Sequence, residues 1–172
     1  MVIARSLLLI AALSCACSPA LDWRQMTPTG LAVQARFPCR PASLTRQVLV
    51  LQRRLPMVMH ACSAAGGTFA LAGIDLGDVR EVSPAMEFLR DAASRNLGVG
   101  SARVQPWVVP GMTPNVQAGR LVLKGRRPDG SAVTEHLLLF AHGAWVYQAS
   151  VVGDAPDDSA VATFFEGLKV AP

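Results

Sequence analysis

The sequence predicts an α+β domain: an antiparallel sheet flanked by helices, closing on a C-terminal strand-turn-strand-helix unit. Three observations carry that expectation. Short strand-like runs separated by turn residues fill most of the chain. Only two segments carry an apolar stripe at helical spacing, around residues 83–97 and 161–168. Strands and helices also come in blocks (strands, helix, strands, helix), which is not the one-for-one alternation of a wound α/β sheet.

Composition narrows the class further. With 172 residues, the chain fits one domain with a sizeable core plus a targeting segment. It is 51% hydrophobic and 16% charged, outside the disordered class. The net charge of +4 is mild. With no aromatic-basic RNA-binding pattern and no zinc-finger spacing, no nucleic-acid partner is expected.

Residues 1–17 read as a signal peptide with a lipobox. Arg5 gives a basic start, and residues 6–13 form an apolar run. That run is shorter than the roughly 20 residues a membrane span needs and has the length of a signal core. Ser14-Cys15-Ala16-Cys17 follows at once. Small residues ending in cysteine resemble the bacterial lipobox, in which the cysteine becomes the acylated N-terminus. Cys15 keeps Leu13 inside the recognition segment, whereas Cys17 has Ala16 before it. The alternative is an ordinary secretory signal cut near Ala16 or Ala20. Neither cysteine precedes an aspartate, so a Gram-negative host would place the lipoprotein at the outer membrane, facing the periplasm. Residues 18–29 are expected to be a tether, and residues 30–172 a single domain.

Leu31, Val33, Ala35 and Phe37 alternate with exposed-type residues, a strand with one buried face. Pro38-Cys39-Arg40-Pro41 stops it. Residues 45–53, 55–64 and 68–75 read as three further strands, with a turn at Gly66-Gly67, and the four are expected to form a meander. Ser83 reads as an N-cap with Pro84 in the first helical position, and Gly98 as the helix end. Residues 102–109 are strand-like, and Pro106 would make that strand an edge. Residues 110–115 hold two prolines and a glycine and form a loop. Residues 117–126 and 132–141 read as a hairpin across the Pro128-Asp129-Gly130 turn.

The segments 135–141 and 144–152, joined at His142-Gly143, are apolar on both faces, as central strands should be. Val161, Phe164, Phe165 and Leu168 then share one helix face. Asp157 or Ser159 supplies the N-cap, and Gly167 sits at the end. A calcium loop is the other reading of the acidic residues 154–158, but they match no EF-hand spacing.

Export leaves Cys39 and Cys62 as an even pair in an oxidising compartment, hence a disulfide. The competing reading is a metal or redox site joining them to His60, although no CxxC motif is present.

The strand end Phe37-Pro38-Cys39-Arg40-Pro41, the segments 68–78 (TFALAGIDLGD), 122–130 (VLKGRRPDG) and 136–153 (HLLLFAHGAWVYQASVVG), and the end 160–170 (AVATFFEGLKV) together resemble uncharacterised exported bacterial proteins with the PsbP-like fold. The resemblance spans about residues 30–170, a length one domain fills. Gly143, Trp145 and Tyr147, and the Phe164-Phe165 end, are packing signatures and not catalytic motifs. The resemblance implies a PsbP-like α/β/α sandwich and a non-enzymatic role in binding or stabilising protein assemblies, with no photosystem partner. Cys39 and Cys62 mark a subset in which a disulfide between the first and third strands would be natural.

Neither G-x-S-x-G, HExxH nor a phosphate loop is present, and His60, His136 and His142 have no partner at triad spacing. No enzyme activity, metal or cofactor is therefore expected. The first functional reading is a non-enzymatic envelope lipoprotein or periplasmic domain that binds another envelope component. Its surface would be the arginine-rich first hairpin (Arg36, Arg40, Arg46, Arg53 and Arg54, with Arg24 nearby) or the loop region of Trp107, Met112 and Asn115. Such arginines would also suit anionic lipid. The second reading is a small-molecule or lipid-binding module with a pocket between the sheet and the 83–97 helix. A sizeable apolar cavity there would favour it over the first. The third is a thiol-redox or metal protein using Cys39, Cys62 and His60.

Overall fold

The computed structural model describes residues 21–100 and 102–171. The expected signal segment, with Cys15 and Cys17, lies outside the described residues. In chain order the elements are β1 (Arg24–Met26), β2 (Val33–Phe37), β3 (Ala42–Val50), β4 (Arg53–Ala64), β5 (Gly67–Asp75), α1 (Val82–Asn96), β6 (Gly119–Arg126), β7 (Ala132–His142), β8 (Trp145–Gly153), α2 (Asp158–Glu166) and β9 (Lys169–Val170). The fold is α+β, and every strand pairing is antiparallel.

The main sheet has the order β3-β4-β5-β8-β7-β6, so β8 and β7 are interior strands, as their two apolar faces require. They meet at the two-residue turn Gly143-Ala144, where Gly143 takes a φ of +56° that other residues avoid. A small second sheet, β1-β2-β9, accompanies the main one.

Alternation along each strand sends side chains to opposite faces. One face presents Phe69, Leu71, Leu138, Phe140, Tyr147, Ala149 and Val151 to β2 and to Val161, Phe164 and Phe165 of α2. The other presents Ala72, Ile74, Leu121, Leu123, Leu137, Leu139 and Val146 to Val82, Ala85, Met86 and Ala93 of α1. Each face of the sheet thus carries its own core, with one helix over each.

Several expectations need correction. The first strand does not join a four-strand meander. The break at residues 38–41 turns the chain, so β2 lays its buried face (Val33, Ala35, Phe37) on the main sheet and pairs with β1 and β9 instead. Residues 24–26, expected to lie in a tether, belong to the domain instead. Arg24–Met26 pair with β2, and Trp23 packs edge-on against Phe69. Residues 102–109 make no strand: Gln105 exchanges two backbone hydrogen bonds with Arg120, and Pro106 has no N–H to extend the ladder. The first hairpin turns at Leu51-Gln52, with φ of +48° and +65°, so Arg53 belongs to β4. Ser83 is not the cap of α1. The helix starts at Val82 after a 3-10 turn at Val79–Glu81, whose own cap, Asp78, accepts from the Arg80 N–H.

Other features agree with the sequence. Asp157 caps α2 by accepting from the Ala160 N–H, which gives the acidic loop a role without calcium. Cys39 and Cys62 form a disulfide, with 6.0 Å between their Cα atoms, that ties the chain after β2 to β4. In the chain-entropy model a closed loop of this size stabilises by about 3 kcal/mol.

Candidate functional site

The cavity beneath α1 follows from the residue pattern of β5 and β8. In β5, Phe69 and Leu71 fill one face, so the other face shows only Ala70 and Ala72 in this stretch. In β8, Tyr147, Ala149 and Val151 fill the first face, and Gln148 and Ser150 turn to the second. Small and polar side chains therefore floor the sheet under the middle of α1, and the helix does not seat fully. A furrow of about 270 Å³ remains. Its apolar walls are Val48, Val50, Met57, Met59, Phe88 and Leu89. Ligand pockets run from about 300 Å³ upward, and a dry cavity of about 150 Å³ already takes benzene, so the furrow suits a small or slender ligand.

The pairing registers show how the furrow runs. Arg46 faces Met57, which continues through Ile74 and Val146 to Ala141. Glu135 faces Val152, which continues to Thr68. Arg46 and Glu135 are thus four strands apart, about 19 Å, and six residues apart along β7, about 20 Å. They mark opposite ends of a diagonal. Val48, Val50 and Met57 lie toward Arg46; Ser150 faces Leu137, two residues from Glu135, and Gln148 faces Leu139, between the two ends. Burial pushes the Glu135 carboxyl above the ordinary glutamate range, with no charge or hydrogen bond opposing the shift.

The arginines do not gather into one face. Arg46 and Arg53 share a face of the first hairpin, whereas Arg54 lies opposite Leu49 on the other. Arg53 pairs with Glu81 and donates to the Leu76 carbonyl, holding the segment ahead of α1. Arg36 lies in the small sheet. Arg40 and Arg24 border an open hollow with Ser43, Thr29 and His60, and Arg24 also pairs with Asp22.

The singled-out residues of the long loop hold that loop in place. Trp107 packs edge-on against Phe165, with 6.2 Å between ring centroids. Met112 is half-buried, and its sulfur accepts from the Val109 N–H. Asn115 donates to the Ser83 hydroxyl and accepts from the Gln117 N–H. The large apolar side chains this loop exposes are Val108 and Val116, at 76% and 93%.

The histidines lie apart. His60 contacts the Thr29 carbonyl, and His142 the Gly111 carbonyl. The buried His136 accepts from Arg120, whose guanidinium lies over Trp107 and Phe165. Burial and the Arg120 charge hold His136 below the usual histidine range. Among the described residues no three His, Cys, Asp or Glu side chains gather as a metal site.

Sequence reasoning missed Gln148, Ser150 and Glu135 as lining residues. Their signal was present: two polar residues at i and i+2 in an otherwise apolar interior strand, with a carboxylate on the strand beside it.

No family model matches the chain, and no curated protein matches it. One solved structure, a crystal structure of a protein from Bacteroides thetaiotaomicron, is similar with a TM-score of 0.46 at 10% identity. The match covers 82% of this chain and 46% of that one, so the chain spans less than half of that protein's length. A likeness at that level carries no argument about fold or function.

Proposed function

We propose that this protein is a non-enzymatic ligand-binding module of the bacterial cell envelope, holding a small amphiphile in the furrow beneath α1. The observation that carries the reading is the furrow itself: an apolar-walled space between sheet and helix, with a few polar groups, among them Glu135, Gln148 and Ser150, in its lining. Such a lining, apolar with a few placed polar groups, is the common form of a small-molecule site. Helices on both faces of the sheet and the sequence motifs support a PsbP-like sandwich. The basic start, short apolar core and cysteine pair support export, with acylation at Cys15 or Cys17 tethering the domain to a membrane. No helix among the described residues is long and apolar enough to cross one.

A second reading, docking to another envelope component, draws on the exposed Val108 and Val116. Binding of the neutral fluorophore N-phenyl-naphthylamine separates the two. The furrow reading expects one saturable site, displaced by octanol and lost in Ala70→Leu, which fills the floor. Saturable binding that survives Ala70→Leu, or no binding at all, defeats it. For the anchor, mass analysis of the N-terminal peptide from bacterial membranes should show a diacylglyceryl cysteine. An unmodified N-terminus beyond Cys17 would contradict it.

A further inference from the structure

Glu135 is the one ionisable group at the inner, polar end of the furrow. It projects from an interior strand, with Ser150 two residues away in register on the neighbouring strand and Asn96 of α1 in the same lining. None of the four ion pairs among the described residues includes it. A carboxylate taken partly out of water without a partner is costly, and an interior strand is an unusual place for one. The two arginines nearest in the chain, Arg126 and Arg127, are engaged elsewhere: Arg126 donates to the Gly130 carbonyl, and Arg127 pairs with Asp154. Arg46, the other charge on the furrow, stands at its far end, across four strands. The inner end therefore presents negative charge with hydroxyl and amide groups beside it, and the rest of the furrow presents apolar wall.

We infer that the furrow selects amphiphiles carrying a primary amine, with the ammonium seated at Glu135 and the hydrocarbon lying toward Met57, Met59 and Phe88. This deepens the furrow reading and rests on it. An ammonium offers three donors, one for the carboxylate and two for the Ser150 hydroxyl and the Asn96 carbonyl. The ion pair forms where solvent screening is weakened, so it adds to affinity more than a surface pair does. A hydroxyl head in its place keeps a hydrogen bond without the charge, and a carboxylate head meets like charge.

Calorimetric titration with octylamine, octanol and octanoate tests this on the intact protein and on Glu135→Gln. Charge-assisted hydrogen bonds outweigh neutral ones by enough to expect octylamine to bind about tenfold or more tighter than octanol. Octanoate should bind weakest. In Glu135→Gln the amine preference should disappear while octanol still binds, which also shows that the variant is folded. Octanol binding with no amine preference, or a preference that survives Glu135→Gln, overturns the inference and leaves the furrow reading standing. Tightest binding by octanoate overturns it in favour of a head group at Arg46. Failure of all three to bind overturns the furrow reading as well.

Discussion

The two faces of the main sheet are built from the same strands and differ in how they are filled. The face toward α2 is closed. Phe37 and Phe69 pack on Phe164 with ring centroids at 5.3 and 5.5 Å, and Tyr147 stacks on Phe140 at 5.1 Å. It is tight enough that a Cβ on Gly73 would come within 2.6 Å of Leu31. The face toward α1 places Ala70, Ala72, Gln148 and Ser150 where the opposite face has Leu71, Tyr147 and Ala149, and a furrow remains. Interiors are ordinarily packed to crystal-like density, so a gap of this size is a property of the residues chosen for that face. On the proposed reading the closed face serves stability and the open face serves binding.

The contrast can be broken most visibly at the closed face. Phe164→Ala should cost about 3–5 kcal/mol in denaturant unfolding, because its cavity is walled by aromatic rings that cannot collapse. A cost near 1 kcal/mol, the ordinary size of any point substitution, would mean that face is not close-packed. Removing the disulfide with Cys39→Ala and Cys62→Ala together should lose about 3 kcal/mol, read from the unfolding midpoint. Ligand affinity should be kept, because neither cysteine lines the furrow.

A matched pair sharpens the comparison. Ala149→Leu on the closed face should cost about 1–3 kcal/mol through overpacking. Ala70→Leu on the open face should cost less than about 1 kcal/mol and abolish ligand binding, since the added carbons have space to enter. Equal costs would erase the distinction between the faces.

The smallest effect is expected at Glu135. Its folded-state pKa is raised by burial above the ordinary 4.5. Below that ordinary value both states are protonated and the ionisation-linked cost of burial vanishes. As pH rises past it the unfolded chain ionises first, so the folded state loses stability until its own carboxyl has ionised. Glu135→Gln should therefore match the wild type at acid pH and melt higher at neutral pH. A gain that persists unchanged at acid pH would mean the carboxyl's ionisation is not its source.

Much of the fold was legible because the signals were local. Val161, Phe164 and Phe165 gave the α2 face (Leu168, expected on it, lies just past the helix end), Asp157 its cap, and the unbroken apolar run from Leu137 to Ala141 an interior strand. The misses have physical causes. Leu51 and Gln52 turn the chain with positive φ but are neither glycine nor asparagine, so no turn residue announced them. Whether β2 extends the main sheet or packs on its face depends on the partner of its buried stripe, which period-two alternation does not encode. The furrow is less legible still. It is a space left by Ala70, Ala72 and Ser150, and small residues carry no pattern of their own. Gln148 and Ser150 departed from the apolar rule of their strand and were the available clue.

The central claim is that a ligand enters the face under α1 and no other. A backbone amide NMR spectrum recorded through an octanol titration tests it most directly. Saturable shifts confined to Val48, Met57, Met59, Ala72 and the Phe88–Ala93 stretch of α1 are the predicted result. Shifts centred on Phe37, Tyr147 and Phe164, or on Val108 and Val116, would contradict it.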